Sequence, residues 1–115
     1  MVSLPWPPSV NRYWRSVNGK VLISADGRAY RANVALMATI GKWPVWGDRN
    51  ISVSIAAWFP DQRKRDLDNV LKAPLDALTH ALLWTDDSQI HELHIRNMGL
   101  DRAKPRLELT IKEFV

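Results

Sequence analysis

Apolar and polar residues alternate most cleanly between Ile51 and Phe59. Ile51, Val53, Ile55, Ala57 and Phe59 fall on one side, with Ser52, Ser54, Ala56 and Trp58 on the other. A period of two predicts a half-buried strand, and Pro60-Asp61 stops it. The alternation recurs near the C-terminus, where Leu107, Leu109 and Ile111 are set against Arg106, Glu108, Thr110 and Lys112. Ile90 to about Met98 reads as the preceding strand, joined to the last by Asp101 to Pro105. Two other segments keep the helical period. Tyr30, Val34, Met37 and Ala38 or Gly41 recur at that spacing, so a helix is predicted from a cap at Ser24 or Asp26 to about Ile40. From Asp66 to about Leu83, the leucines Leu67, Leu71, Leu75, Leu78 and Leu82 follow at intervals of 4, 4, 3 and 4. They predict one helix bent at Pro74, since an interior proline costs about 3 kcal/mol and kinks the chain. Two shorter helices meeting at Pro74 are the alternative.

The first 23 residues carry less pattern. Three prolines keep Leu4 to Pro8 out of a helix, Asn18-Gly19 signals a turn, and Lys20 to Ile23 is extended. Two short strands joined by a loop rich in arginine and aromatics are expected there, and Gly41 to Asn50 reads as a further loop. The order strand, strand, helix, strand, helix, strand, strand predicts an α+β fold: a small mixed sheet of about five strands with two helices packed on it. With 115 residues in all, residues 1–115 are expected to form a single domain.

Hydrophobic residues at 46% and charged residues at 24% fit an ordinary globular protein. The chain has no cysteine, which excludes a disulfide scaffold, thiolate-bound zinc, an iron–sulfur cluster and a cysteine nucleophile. Any metal must sit on oxygen or imidazole. No apolar run approaches the roughly 18 residues that span a bilayer, and MVSLPWPPSVNR lacks the features of a secretory signal. The cytoplasm is the expected compartment, with no membrane partner. The net charge of +4 is unevenly spread. Residues 61–87 hold six acids and four bases, a net of −2, which leaves +6 on the remainder. A basic body attracts a phosphate backbone, and an acidic segment can hold a hard cation against it.

That segment carries R-D-L-D-N-V-L-K, Arg65 to Lys72. Asp66 stands at the expected helix start, and Asp68 and Lys72, four apart, are expected one above the other on a helix face flanking the leucine stripe. Two carboxylates at a helix start can converge on one cation, and a third from the Asp86-Asp87 turn can complete an oxygen shell. Mg²⁺ suits such a set, because it takes few carboxylates and keeps waters that a phosphate oxygen can replace. Phosphodiester hydrolysis needs an activated water and relief of negative charge, which such an ion supplies, with Lys72 as a compact positive charge beside the phosphate. Each element also has a plainer reading: Asp66 as an N-cap, Asp68 with Lys72 as an ion pair of about 0.3–0.5 kcal/mol, and Asp86-Asp87 as a turn.

The stretch FPDQRKRDLDNVLKAPLDALTHALLWTDDSQI resembles the signature region of the RusA family of Holliday-junction resolvases, small bacterial and phage-associated endonucleases. LPWPPSVNRYW (Leu4 to Trp14) and SADGRAYRANV (Ser24 to Val34) fit the same family, so the resemblance runs from about Leu4 to Leu109. It implies a Mg²⁺-dependent homodimeric endonuclease, with Mn²⁺ expected to substitute, that cuts four-way DNA junctions by paired symmetric nicks in recombination and repair. It places the catalytic acids on Asp66, Asp68 and Asp87 and the catalytic lysine on Lys72, with Asp86 as a secondary metal ligand. It assigns DNA contacts to the basic loop Arg63, Lys64 and Arg65. Arg12 and Arg15 are further DNA-binding candidates because they flank Trp14, which is placed to stack on an opened base. No small-molecule cofactor is expected, and a bacterial or phage origin is implied. Pro74 and His80 belong to no pattern used here. His91 and His94 are three apart on a strand and so face opposite sides, which argues against a metal pair. Of the six tryptophans, Trp58 and Trp84 are expected in packing roles. The rival reading is a catalytically inactive module that binds branched DNA and uses the aspartates only as caps and turns.

Overall fold

The computed structural model describes residues 1–115. Six strands, β1 (Val2–Pro5), β2 (Trp14–Val17), β3 (Lys20–Ile23), β4 (Ile51–Phe59), β5 (Ile90–Leu100) and β6 (Arg106–Glu113), alternate with three helices, α1 (Val10–Tyr13), α2 (Ala25–Gly41) and α3 (Lys72–His80). The fold is α+β, with a four-stranded sheet in the order β1-β6-β4-β5 and a separate hairpin of β2 with β3. β4 lies at the centre, antiparallel to β6 and parallel to β5, so the large sheet is mixed. A parallel partner requires a crossover connection, and the segment containing α3 provides it between β4 and β5.

The alternation along β4 and β6 is realised over most of their length; the exceptions are Ser52, which is buried with its hydroxyl bonded to Glu92, and Ile111, which is only half-buried. Val53, Ile55, Ala57 and Phe59 of β4 and Leu107 and Leu109 of β6 are buried, and Val2 and Leu4 of β1 pair with Leu109 and Leu107 to extend the same face. Tyr30 and Val34 of α2 and Ala73, Ala77 and Leu78 of α3 cover that face in one continuous core. β5 is different: only Ile90 and Ile95 are even half-buried, as befits an edge strand outside the helical cover.

The N-terminal segment holds more structure than two strands and a loop. α1 forms one helical turn before the hairpin, whose turn uses Asn18 and Gly19, both at positive φ. α2 begins where a cap was expected, and Ser24 is the residue that provides it, its Oγ accepting from the Gly27 N–H at 3.0 Å.

The larger correction concerns Asp66 to Leu83, which do not form one bent helix. Leu67–Val70 is a short 3-10 turn, and α3 starts only at Lys72. Pro74 therefore sits in the first turn of α3, where its missing N–H leaves no bond unmade, and it bends nothing. The stripe of five leucines is not the buried face either. Val70, Ala73, Pro74, Ala77 and Leu78 are buried, Leu67, Leu71 and Leu75 are half-buried, and Leu82 is 70% exposed.

Candidate active site

Asp66 precedes the 3-10 turn in an extended conformation (φ −77°, ψ 139°), and its side chain caps nothing; its carbonyl accepts from the Asn69 N–H at 3.1 Å. Asp68 lies within the turn. Both carboxylates are exposed, and neither takes part in a side-chain hydrogen bond or an ion pair. Asp68 and Lys72 do not share one α-helical face. A 3-10 turn advances about 120° per residue against about 100°, so residues four apart that pass through it rotate away from each other. No ion pair joins them. The Lys72 ammonium instead lies 5.7 Å from the centre of the Trp14 ring.

Asp86 and Asp87 divide their roles. Asp86 caps a second 3-10 turn, Asp87–Gln89, accepting from the Ser88 N–H at 2.9 Å, and these bonds hold its carboxyl below the usual range. Asp87 faces α3: its Oδ1 meets the Thr79 hydroxyl and accepts from the Trp84 indole N–H at 3.2 Å. The Leu75 carbonyl, at 2.8 Å, is the alternative acceptor for the single Thr79 proton. Thr79 stands two turns beyond Lys72, about 10 Å along the helix axis. Asp66 and Asp68 thus lie together on one exposed turn with Lys72 next in the chain, while Asp87 is anchored at the far end of α3. No three acidic or histidine side chains gather into a set able to hold a metal ion. On β5, His91 packs against Phe114 and His94 approaches Glu92 at 3.9 Å, so the two imidazoles do not converge.

The basic candidates also separate. Arg15, Arg63 and Lys64 are exposed, and their side chains are unpaired. Arg12 is exposed with a loose contact to Asp26 at 3.3 Å. Arg65 is committed within the protein: its guanidinium binds both oxygens of Asp61, at 2.7 and 3.1 Å, lies 5.8 Å from the centre of the Trp6 ring, and is only 19% exposed. Those bonds, with the Arg63 backbone N–H behind them, hold the Asp61 carboxyl down at about 2. Trp84 is buried, and Trp58 is half-buried with the Arg106 guanidinium 4.1 Å from its ring centre.

Sequence pattern did not single out the residues that bind these pieces together. Asp76 on α3 accepts from Arg31 Nε of α2 at 2.8 Å and from the hydroxyl of Tyr13, the last residue of α1. Burial pushes the Asp76 carboxyl up, but the bonds from Arg31 and Tyr13 and the charges of Arg31 and Lys72 outweigh it, leaving the group below the usual carboxylate range. Burial and the Asp76 contact push the Tyr13 phenol well above its ordinary value. The one available signal was the spacing of Asp76 four residues after Lys72.

Set against known proteins, the chain matches a family model described as endodeoxyribonuclease RusA over residues 5–112. It is 43% identical over 113 residues to the crossover junction endodeoxyribonuclease RusA of Escherichia coli strain K12, covering 98% of this chain and 93% of that one. The phage 82 protein of the same name is 44% identical over the same spans, and that of Shigella sonnei strain Ss046 is 43% identical. No helix is long and apolar enough to cross a membrane.

Proposed function

This chain belongs to the endodeoxyribonuclease RusA family and is a nuclease, and from that premise we propose that it resolves four-way DNA junctions by metal-dependent, paired symmetric nicks in recombination and repair. The observation that carries the reading is the extent of the likeness, with 43% identity sustained over 98% of the chain to a relative named for crossover junctions. The exposed turn at Asp66 and Asp68, beside the unpaired cations Arg63 and Lys64, is the part of the surface whose chemistry fits such a task.

Asp66 and Asp68 offer hard oxygen donors that no protein cation neutralises, a donor set that suits Mg²⁺, which is commonly bound by one or two carboxylates with waters and a substrate phosphate. They are the residues that would hold the ion, with Mn²⁺ as a substitute. Bound there, it would polarise the phosphoryl group and lower the pKa of its water. Lys72, just beyond them, meets the phosphate as a compact cation. Arg63 and Lys64, with Arg12 of α1 and Arg15 of β2, neutralise backbone phosphates. Asp87 has its Oδ1 engaged by Thr79 and Trp84, which orient the carboxylate at the end of α3; its Oδ2, free of hydrogen bonds, is the atom that would serve as a third donor. A homodimer acting in the cytoplasm completes the proposal, because a junction has approximate two-fold symmetry and two identical sites match two opposed nicks.

The test is a cleavage assay on a synthetic junction, a fork and a linear duplex. Cutting of the junction is expected with Mg²⁺ and none with a chelator. Asp68→Asn is expected to lower cutting at least about 100-fold while junction binding persists, because it removes a charge from the metal pair and nothing from the phosphate contacts. Equal cutting of the linear duplex would remove junction selectivity, and undiminished cutting by Asp68→Asn would remove the site.

A further inference from the structure

Lys72 has neighbours to which cleavage chemistry alone gives no role. Three helices meet at the Asp76 carboxylate: α3 carries it, α1 supplies the Tyr13 hydroxyl and α2 the Arg31 Nε at 2.8 Å. The Arg31 and Asp76 side chains are only 25% and 19% exposed, and Tyr13 is fully buried. The Tyr13 ring packs edge-on against Trp14, with centroids 5.1 Å apart and planes at 84°, and the Trp14 ring carries the Lys72 ammonium near its face. Asp76 itself is one helical turn beyond Lys72. A half-buried ion pair adds little stability over an apolar cluster of the same shape, so joining three helices does not by itself account for a charged triad here. What the triad offers is direction: its hydrogen bonds hold the Tyr13 ring, that ring packs edge-on against Trp14, and the Lys72 ammonium lies 5.7 Å from the Trp14 ring centre.

We propose that Asp76 is a positioning residue for the lysine of the cleavage site: clamped by Tyr13 and Arg31, it keeps Trp14 under Lys72 and the ammonium where the scissile phosphate arrives. This rests on the nuclease reading above, in which Lys72 meets the phosphate.

The experiment uses the full chain under single-turnover conditions on a four-way junction with Mg²⁺, with junction affinity measured separately in chelator. Asp76→Asn is expected to slow cleavage about 10- to 100-fold, the scale of a misplaced group, with affinity unchanged within about twofold. In a Lys72→Ala background the same substitution is expected to slow cleavage by less than about twofold, because the position of an absent ammonium has no effect. Tyr13→Phe keeps the ring and removes only the hydroxyl; it is expected to show the same pattern at smaller amplitude, and it decides the matter if Asp76→Asn does not fold by circular dichroism. The proposal is overturned if the folded variants cut at the parental rate, lose affinity and rate together, or slow the Lys72→Ala background as much as the parent. Parental cutting by Lys72→Ala alone is a different failure: it removes the lysine from the site and takes the proposal with it.

Discussion

Gln89 is the most heavily used side chain near the acidic turn. Its Oε1 accepts from the backbone N–H groups of Thr85 and Asp86, at 2.9 and 2.7 Å, and its Nε2 donates to the carbonyls of Gly47 and Arg49, at 2.7 and 2.8 Å. One buried amide thereby ties the turn bearing Asp86 and Asp87 to the loop before β4. Gln89→Ala orphans groups that water reaches poorly, and a loss of about 2–3 kcal/mol in urea unfolding is expected. A loss under about 0.5 kcal/mol would mean that water replaces the amide. The local half of this arrangement has a sequence signature, since Asp86 and Gln89 stand at capping-box spacing; the other two partners, Gly47 and Arg49, lie 42 and 40 positions away and leave no local trace. Arg65 makes the same point from the other side: in a run of three bases it looks like a phosphate contact, yet its partner Asp61 and its neighbour Trp6 hold it within the protein.

At the scale of elements, the end of α3 was hidden by a leucine. The helix closes with the Leu82 N–H bonded to the Thr79 carbonyl at 3.0 Å and the Leu83 N–H to the Leu78 carbonyl at 3.2 Å. This closure places Leu82 in the left-handed region, at φ 67°, and turns its side chain to solvent. Glycine is the usual signal for such a stop, so its absence let the leucine spacing run on to Leu82. Left-handed geometry costs an L-residue about 1–2 kcal/mol, and glycine returns part of that through its unfolded-state freedom. Leu82→Gly is therefore expected to stabilise the protein by about 0.5–1 kcal/mol, read as a higher denaturation midpoint at constant slope; a fall in stability would show that the leucine makes a contact worth more than its strain. The start of the segment was obscured in the same way. A leucine spacing of four cannot tell a 3-10 turn followed by a helix from one helix, since the hydrogen-bond register and not the hydrophobic period distinguishes them.

For the molecule as a whole, charge is arranged so that two free cations, Arg63 and Lys64, directly precede the acidic turn while other bases are spent internally. Arg65 and Arg106 are paired with acids and together cover Trp6 and Trp58, whereas Arg63 and Lys64 project unpaired. Changing Arg63 and Lys64 together to Ala is expected to flatten the dependence of log affinity on log salt by roughly 2 per protomer, since each phosphate contact contributes about 0.9. Arg65→Ala is expected to leave that slope in place and weaken folding instead. An unchanged slope in the double variant would locate the phosphate contacts elsewhere, with Arg12 of α1 and Arg15 of β2 as the next to test. The edge position of β5 is likewise a property of the whole: β5 and β6 follow one another in the chain, yet they flank β4 on opposite sides, and the connection passes the end of β4, where the Asp101 N–H bonds to the Phe59 carbonyl at 2.9 Å.

Local periodicity and turn chemistry act over a few residues, so β4, β6, the hairpin turn at Asn18-Gly19 and the capped start of α2 could be read from the chain directly. The motif from Arg65 to Lys72 stood out in the chain by residue type and near spacing, although the spacing misplaced Asp68 and Lys72 on one helix face. Tertiary structure alone decided which carboxylates stay free, which arginines are consumed, and that Asp87 turns to Thr79 and Trp84. It also brought Tyr13, Arg31 and Asp76 to one point from three helices. The Asp76 cluster joins partners 63 and 45 residues apart, which no local pattern encodes; Arg65 with Asp61 and Asp87 with Trp84 are near neighbours, but spacing alone does not decide whether the packed chain turns such side chains toward each other or toward solvent.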